Sequence, residues 1–134
     1  MTDDVSDIIK KLNRFAVDTE KAVDDAVAIT AHKVRVSAIR SMREPSIGKK
    51  HGKHIASKPG DAPNVDTGRL VASVKVQHDK GSAVARVGTN LDYGAELELV
   101  KNRPWLKPAL DENVDDYEQI LEKVVDKQIR EAGR

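Results

Sequence analysis

The feature that most constrains how this chain can fold is a run from position 4 to position 42 that contains no Gly and no Pro. Apolar side chains recur through this run at spacings of three and four residues, which is the period of an α-helix. Glu44-Pro45 follows as a stop, because a residue before proline is disfavoured in the helical conformation. A helix over 4–42 would be about 58 Å long, longer than a compact domain of 134 residues is wide. We therefore expect it either to break near Thr19–Val23 or to project and pack against another subunit.

The composition excludes several kinds of site. The chain has no cysteine, so disulfides, cysteine-ligated metal centres and thiol nucleophiles are excluded. No apolar run is long enough to span a bilayer, and the acidic start MTDDVSD differs from a signal peptide, so we expect no membrane association. The only aromatic residues are Phe15, Tyr93, Trp105 and Tyr117. They predict a light aliphatic core and few platforms on which nucleobases could stack.

Charge is distributed unevenly, although the net charge of the chain is only +1. Residues 1–25 carry a net charge of −3, residues 32–58 carry +7 and residues 111–134 carry −4. These segments are either three solvated surfaces or parts of a dipolar subunit whose basic middle meets an acidic neighbour or nucleic acid. The basic middle includes a Gly- and Pro-containing loop that we predict over 43–66. The candidate DNA or partner contacts in this loop are Lys49, Lys50, Lys53 and Lys58.

A β-hairpin is predicted after the basic loop. Partly alternating apolar residues favour strands over 70–77 and 83–89. Asp79-Lys80-Gly81 lies between them and is typical of a hairpin turn. Leu70–Ser73 could instead form one helical turn, and residues 93–100 fit either a helix or a strand.

The last element is a helix predicted over 107–131. Pro108 suits its first turn, and acidic residues crowd its first half while basic residues lie toward its end, which complements the helix dipole. The elements together predict a single α+β domain over residues 1–134. It would consist of a long N-terminal helix, a small antiparallel sheet within the region 67–105, and a C-terminal helix.

No pattern in the chain points to catalysis. His51-x-x-His54 is the one close histidine pair, but a zinc site needs further ligands that nothing in the sequence fixes nearby. There is no phosphate-binding loop, dinucleotide fingerprint or nucleophile elbow. No pair of carboxylates lies in an apolar setting of the kind that would raise a pKa for acid–base work. We expect no enzymatic activity, no metal ion and no cofactor.

Three segments carry a family resemblance. They are SKPGDAPNVDTGRLVASV (57–74), NLDYGAELE (90–98) and NRPWLKPAL (102–110). In this order they resemble the gene-product-ten-like head–tail joining family of long-tailed bacteriophages and prophages, which also has a long first helix. One departure is that the family commonly continues Leu-Glu as Phe-Gly-Thr, whereas Leu99-Val100-Lys101 follows Glu98 here.

The resemblance implies a structural role in the virion neck or in tail completion, as a ring of identical subunits. The implied partners are other copies of the chain, head connector or stopper proteins, tail terminator or tail tube proteins, and DNA passing through the channel. Assembly is expected in the host cytoplasm. The motif residues are expected to determine the fold or to contact ring neighbours; they are Pro63, Asp66, Thr67, Gly68, Leu70, Ser73, Tyr93, Leu97, Glu98, Arg103, Pro104, Trp105, Leu106, Pro108, Ala109 and Leu110.

A second function stays open at this stage. The chain could be a small DNA-binding or packaging-associated protein that acts through residues 43–58. Phosphate contacts from lysines need only charge, so such binding would be independent of sequence and sensitive to salt. The sequence alone leaves open whether the basic loop contacts DNA or an acidic protein.

Overall fold

The N-terminal helix is continuous and longer than predicted. The computed structural model describes residues 2–44, 47–48, 50–51, 54–65 and 68–133. Helix α1 runs over Thr2–Arg43, and its 42 residues span about 63 Å. No break occurs near Thr19–Val23, so the helix extends beyond the rest of the described chain.

The C-terminal helix lies antiparallel against α1. Helix α4 covers Lys107–Ala132, in close agreement with the prediction. Near its start, Glu112 pairs with Arg40 of α1 at 2.9 Å. Near its end, Ala132 lines a cavity together with Phe15 of α1. The first residues of α1 therefore project past the end of α4.

A two-stranded antiparallel hairpin packs on α1. Strand β3 (Lys75–Asp79) pairs with strand β4 (Val84–Gly88), with Lys75 opposite Gly88 and Asp79 opposite Val84. The half-buried residues alternate along β3, and along β4 as far as Val87, so one face of the hairpin is turned inward. The predicted hairpin is confirmed, but its first strand begins at Lys75 and not at Leu70. Residues 69–73 are helical, as the alternative of one helical turn over Leu70–Ser73 predicts.

Two short helices flank the hairpin. Helix α2 covers Arg69–Ser73 and starts after Gly68, whose φ of 81° is in the left-handed region that favours glycine. Helix α3 covers Asp92–Leu99, which resolves the segment that fitted either a helix or a strand. Among its described residues, the region predicted as sheet thus contains more helix than strand, since α2 and α3 together are longer than β3 and β4.

The basic loop contains a minimal β-ladder. Strand β1 (Lys50–His51) pairs with strand β2 (His54–Ile55), and His51 is opposite His54. The rest of the loop has no regular structure in the residues that the structure describes. Its backbone is tied to the body of the protein by a hydrogen bond from Gly60 N to the Asn102 carbonyl at 2.7 Å.

The core is small and lies where all the larger elements meet. It contains one aromatic side chain, Trp105, and is otherwise aliphatic except for Met42, as the composition predicts. Its buried members are Val34, Ala38, Met42, Leu70, Val74, Trp105 and Ala109. This arrangement confirms the α+β class, with a long N-terminal helix, a small antiparallel sheet and a C-terminal helix. Among the described residues, no helix is apolar enough over a sufficient length to cross a membrane.

Candidate functional site

Three of the described motif residues, Glu98, Arg103 and Trp105, meet at one junction, where α3 turns into α4. We call it the motif junction and define it by Gly94, Glu98, Arg103 and Trp105. Glu98 is its polar centre. One carboxylate oxygen of Glu98 accepts hydrogen bonds from the backbone N–H groups of Trp105 at 2.6 Å and Leu106 at 3.0 Å. The other accepts from Lys107 N at 2.9 Å.

The Glu98 carboxylate is therefore the N-terminal cap of α4. The first N–H groups of any helix lack partners within the helix, and they form the positive end of the helix dipole. Leu106, at the N-cap position itself, has no side chain that could accept a hydrogen bond. A carboxylate supplied by the preceding helix meets both needs, which explains why a glutamate is placed at the end of α3.

Trp105 fixes the apolar side of the junction. Its side chain is 2% exposed, and its indole N–H donates to the Gly94 carbonyl at 2.9 Å. A Cβ on Gly94 would lie 2.5 Å from the Thr89 methyl carbon and 2.9 Å from a Leu70 methyl carbon. Only glycine fits there without displacing its neighbours. Gly94 is therefore part of the junction, although the sequence did not single it out.

Arg103 connects the junction to the basic loop. Its guanidinium Nε donates to the Ser57 carbonyl at 3.1 Å, and one terminal nitrogen donates to the Lys101 carbonyl at 2.8 Å. Asn102 has a φ of 52°, which turns the chain between α3 and α4. The Arg103 side chain thus holds the loop near the start of α4, because it donates hydrogen bonds to the Ser57 carbonyl in the loop and to the Lys101 carbonyl after α3.

The first motif segment lies on the other side of Trp105. Leu70 is buried in the core. The Ser73 hydroxyl contacts the Thr89 hydroxyl at 2.6 Å and donates to the Leu70 carbonyl at 2.7 Å. Thr89 in turn accepts from Leu91 N at 3.1 Å, which fixes the start of α3. Asp66 and Thr67, which the sequence also predicted here, lie outside the described residues.

The remaining motif residues are spread over several environments. Pro63 and Ala109 are buried, Leu97 and Leu106 are half-buried against the core, and Pro104 is half-buried. Pro108 is exposed in the first turn of α4, while Tyr93 and Leu110 are also exposed. Most of the set therefore builds the fold, whereas Tyr93 and Leu110 present apolar surface to the outside.

Of the four predicted lysine contacts, the structure describes the side chain of Lys58 alone. Lys49 and Lys53 lie outside the described residues. Lys50 is in β1, where its backbone alone is described, and Lys58 is exposed. In the described part of the chain, no group of three His, Cys, Asp or Glu side chains could hold a metal ion.

A buried acid, Asp24, was missed by the sequence reasoning. It is 4% exposed and accepts hydrogen bonds from Gly81 N at 2.9 Å, Ala83 N at 2.9 Å and the His78 ring at 2.8 Å. These partners hold the pKa of Asp24 below its ordinary value, the Gly81 backbone bond contributing most and the His78 bond next. Asp24 thereby anchors the hairpin turn to α1. No local sequence signal marks it, because its partners are more than 50 positions away.

The projecting end of α1 carries an apolar surface without a partner among the described residues. We call it the arm stripe and define it by Val5, Ile8, Ile9 and Leu12, whose residues are 53% to 61% exposed. The spacing of three, one and three positions places all four on one face of the helix. Contiguous exposed apolar surface of this kind marks interaction sites in proteins.

Comparison with known families supports the motif interpretation. Residues 6–99 match the HK97-gp10-like family model, described as "Bacteriophage HK97-gp10, putative tail-component". The match covers most of α1 and continues through Glu98, and it ends before the segment that contains Arg103 and Trp105. The family resemblance drawn from the motifs is therefore confirmed. Comparisons with curated proteins and with solved structures give no match.

Proposed function

The chain belongs to the HK97-gp10-like family of phage tail components, and from that premise we propose that it is a neck protein of the virion. In this proposal a ring of identical subunits joins the head connector to the tail and completes the tail. Each subunit contacts its ring neighbours, a connector or stopper protein on the head side, and a terminator or tube protein on the tail side. The subunits assemble in the host cytoplasm.

The observation that carries the proposal is the arm stripe. A subunit that functioned alone would gain nothing from four large aliphatic side chains on a helix that projects from its body. The stripe is suited instead to burial against another protein. A surface that meets a different surface on the next copy generates a closed ring when the rotation closes.

The motif junction supports the same role in a different way. In it Glu98 caps the start of α4, the Trp105 indole is buried, and the Arg103 guanidinium donates hydrogen bonds to backbone carbonyls. Each of these three side chains makes its hydrogen bonds within the chain. Such a junction fixes the direction in which α4 leaves α3. We propose that its function is to set the angle between the body of the subunit and α1, because the geometry of a ring depends on that angle.

Electrostatics suggests how neighbouring layers are arranged. The surface of α4 is acidic in its first half, while the segment 32–58 is basic. The acidic half of α4 lies beside the basic part of α1, where Glu112 pairs with Arg40 at 2.9 Å. In the proposed ring the basic segment faces either the DNA channel or an acidic layer of the neck.

The test is deletion of the gene from its parent phage, followed by negative-stain electron microscopy of the lysate. Filled heads and separate tails, which join when the purified protein is added, are the expected result. Tails of abnormal length or ending would place the protein in tail completion alone and would overturn the joining role. Intact infectious particles would overturn the structural role altogether.

A further inference from the structure

We propose that the outer edge of strand β3 pairs with the same edge of a second copy of the chain, in an antiparallel register centred on Gln77. The two hairpins then form one four-stranded sheet in the order β4-β3-β3-β4. This inference goes beyond the proposed function, because a contact between identical surfaces closes after two copies, whereas a ring is built from contacts between different surfaces.

The outer edge of β3 has no partner strand in the part of the chain that the structure describes. Its sheet contains β3 and β4 alone, and no other described segment makes a backbone hydrogen bond to residues 75–78. In an antiparallel pair, alternate residues turn their N–H and C=O groups away from the partner. Such an edge is a template for a further strand, so the chemistry of the edge calls for an extended segment.

Only charge limits which strand can pair with β3. Proteins protect the edges of sheets with proline, with β-bulges or with charged side chains. Strand β3 contains no proline. It pairs with β4 without a bulge, from Lys75 opposite Gly88 to Asp79 opposite Val84. The two charged side chains at its ends, Lys75 and Asp79, therefore decide which strand is accepted.

The charges of β3 are complementary to a second copy of β3. Lys75, Gln77 and Asp79 are exposed, and they share one face of the strand because they are two positions apart. Antiparallel pairing centred on Gln77 places Lys75 of each copy opposite Asp79 of the other. Opposite charges in directly opposed positions stabilise a sheet, and like charges there destabilise it. Parallel pairing in register would set each charge against its own kind and is therefore disfavoured.

Both charged side chains are available for this contact. Lys75 has no ion pair among the described residues. Asp79 lies 3.7 Å from Arg86 of β4, but its side chain is 53% exposed, and a carboxylate has two oxygens that can accept hydrogen bonds. The opposite face of β3 is held on α1 by the bond between His78 and Asp24. The proposed pair thus uses groups of β3 that the subunit itself leaves accessible.

The first test places one cysteine on the proposed two-fold axis. The chain has no native cysteine, so Gln77→Cys carries a single thiol. In the proposed pair the two Cα atoms at position 77 lie about 4.5–5.5 Å apart, which is within the range of a disulfide. We expect mild oxidation of the purified variant to give a covalent dimer on a non-reducing gel, and we expect reduction to remove it.

The matched controls are Lys75→Cys and Asp79→Cys, each oxidised alone. In the proposed register, like thiols of these variants are four positions apart along the strand, or about 13 Å, so we expect little dimer from either. An equimolar mixture of the two should crosslink as well as Gln77→Cys, because position 75 faces position 79. Equal yields from all three single variants would show random collision and overturn the inference. Failure of both Gln77→Cys and the mixture to crosslink would also overturn it.

The second test exchanges the charges and needs no crosslink. Lys75→Asp gives a strand with two acids, and Asp79→Lys gives a strand with two bases. In analytical ultracentrifugation we expect each variant alone to dimerise with a Kd at least about tenfold above that of the wild type, and we expect an equimolar mixture to dimerise again. A wild type that stays monomeric, or variants that dimerise as the wild type does, would overturn the inference. An unchanged melting temperature in each variant shows that folded proteins are compared.

Discussion

Glu98 offers the sharpest test of how the motif junction works. Its carboxylate accepts hydrogen bonds from the backbone N–H groups of Trp105, Leu106 and Lys107 at 2.6 to 3.0 Å. Replacing Glu98 with alanine leaves these donors at the start of α4 without a side-chain acceptor. The substitution removes little apolar contact, so its effect on stability reports the cap rather than the core.

The magnitude follows from two contributions. Loss of a capping side chain costs about 0.5–2 kcal/mol, and loss of a negative charge at a helix N-terminus costs about 0.3–1 kcal/mol. We therefore expect Glu98→Ala to lower the free energy of unfolding by about 1–3 kcal/mol. For a domain of this size that corresponds to a fall in melting temperature of about 4–12 °C. Glu98→Gln keeps one carbonyl oxygen as an acceptor and loses the charge, so its effect should be roughly half as large.

The measurement is thermal and urea unfolding followed by circular dichroism. Glu96→Ala is the matched control, because Glu96 lies on the same helix with a side chain that is 53% exposed and only a 3.8 Å ion pair to Lys101. An exposed pair of this kind contributes about 0–1 kcal/mol. If Glu98→Ala and Glu96→Ala destabilise the protein equally, water replaces the carboxylate at no cost. The cap would then not be what fixes the start of α4.

Two further predictions follow from the described contacts, and a third follows from the charge of the basic loop. Trp105→Ala should lower the free energy of unfolding by about 3–5 kcal/mol, and a denaturation midpoint unchanged within error would mean that Trp105 is not buried. Because its folded pKa is lowered, Asp24 contributes stability that is present above its ordinary pKa of 3.8 and is lost as the pH falls toward the folded value. Urea midpoints between pH 6 and pH 3 should therefore fall more steeply for the wild type than for Asp24→Asn, and parallel curves would refute this account. Replacing Lys49, Lys50 and Lys53 together with Gln should leave the melting temperature unchanged and impair particle assembly, and a normal particle yield would make the loop a passive linker.

The long elements could be predicted because their signals are local and repeated. The spacing of apolar residues gave α1 and α4 to within about two positions, and the hairpin followed from short alternation around a Gly-containing turn. The length of α1 alone indicated that it would break or project. These inferences needed no knowledge of which residues meet in space.

The sequence pattern does not decide the short elements, because Leu70–Ser73 fits a strand or one helical turn and residues 93–100 fit a helix or a strand. The helix over Asp92–Leu99 has only eight residues, too few for a period to emerge or for a helix to be stable in isolation. Its contacts with the next part of the chain stabilise it. The Trp105 indole donates a hydrogen bond to the Gly94 carbonyl in this helix, and Glu98 at its end accepts one from Lys107 N at the start of α4. The helical turn at Arg69–Ser73 likewise depends on Gly68 and on the Ser73 contact with Thr89.

The candidate sites show the same difference between local patterns, which the sequence reveals, and contacts between distant residues, which it does not. The motif resemblance identified Glu98, Arg103 and Trp105 as important, but their partners appear only in the structure. Asp24 was invisible because its three donors lie in the hairpin, more than 50 positions along the chain. The arm stripe was visible as a helical pattern, but the sequence could not show where α4 ends and hence which part of that pattern stays exposed.

The energetics of the arm stripe bear on when a ring would form. Fully burying a large aliphatic side chain contributes about 1.5–3 kcal/mol, and the four residues of the stripe are only 53% to 61% exposed in the free subunit. Their burial can therefore supply about 3–7 kcal/mol. Association costs about 4–15 kcal/mol in lost translational and rotational freedom, so one contact made through the stripe is weak. A closed ring gives every subunit two such contacts, and a surface that gathers several subunits lowers the cost of each later addition. A contact this weak would not join free subunits on its own and would hold them together only where a ring can close, which is the behaviour that a component of a multilayered neck requires.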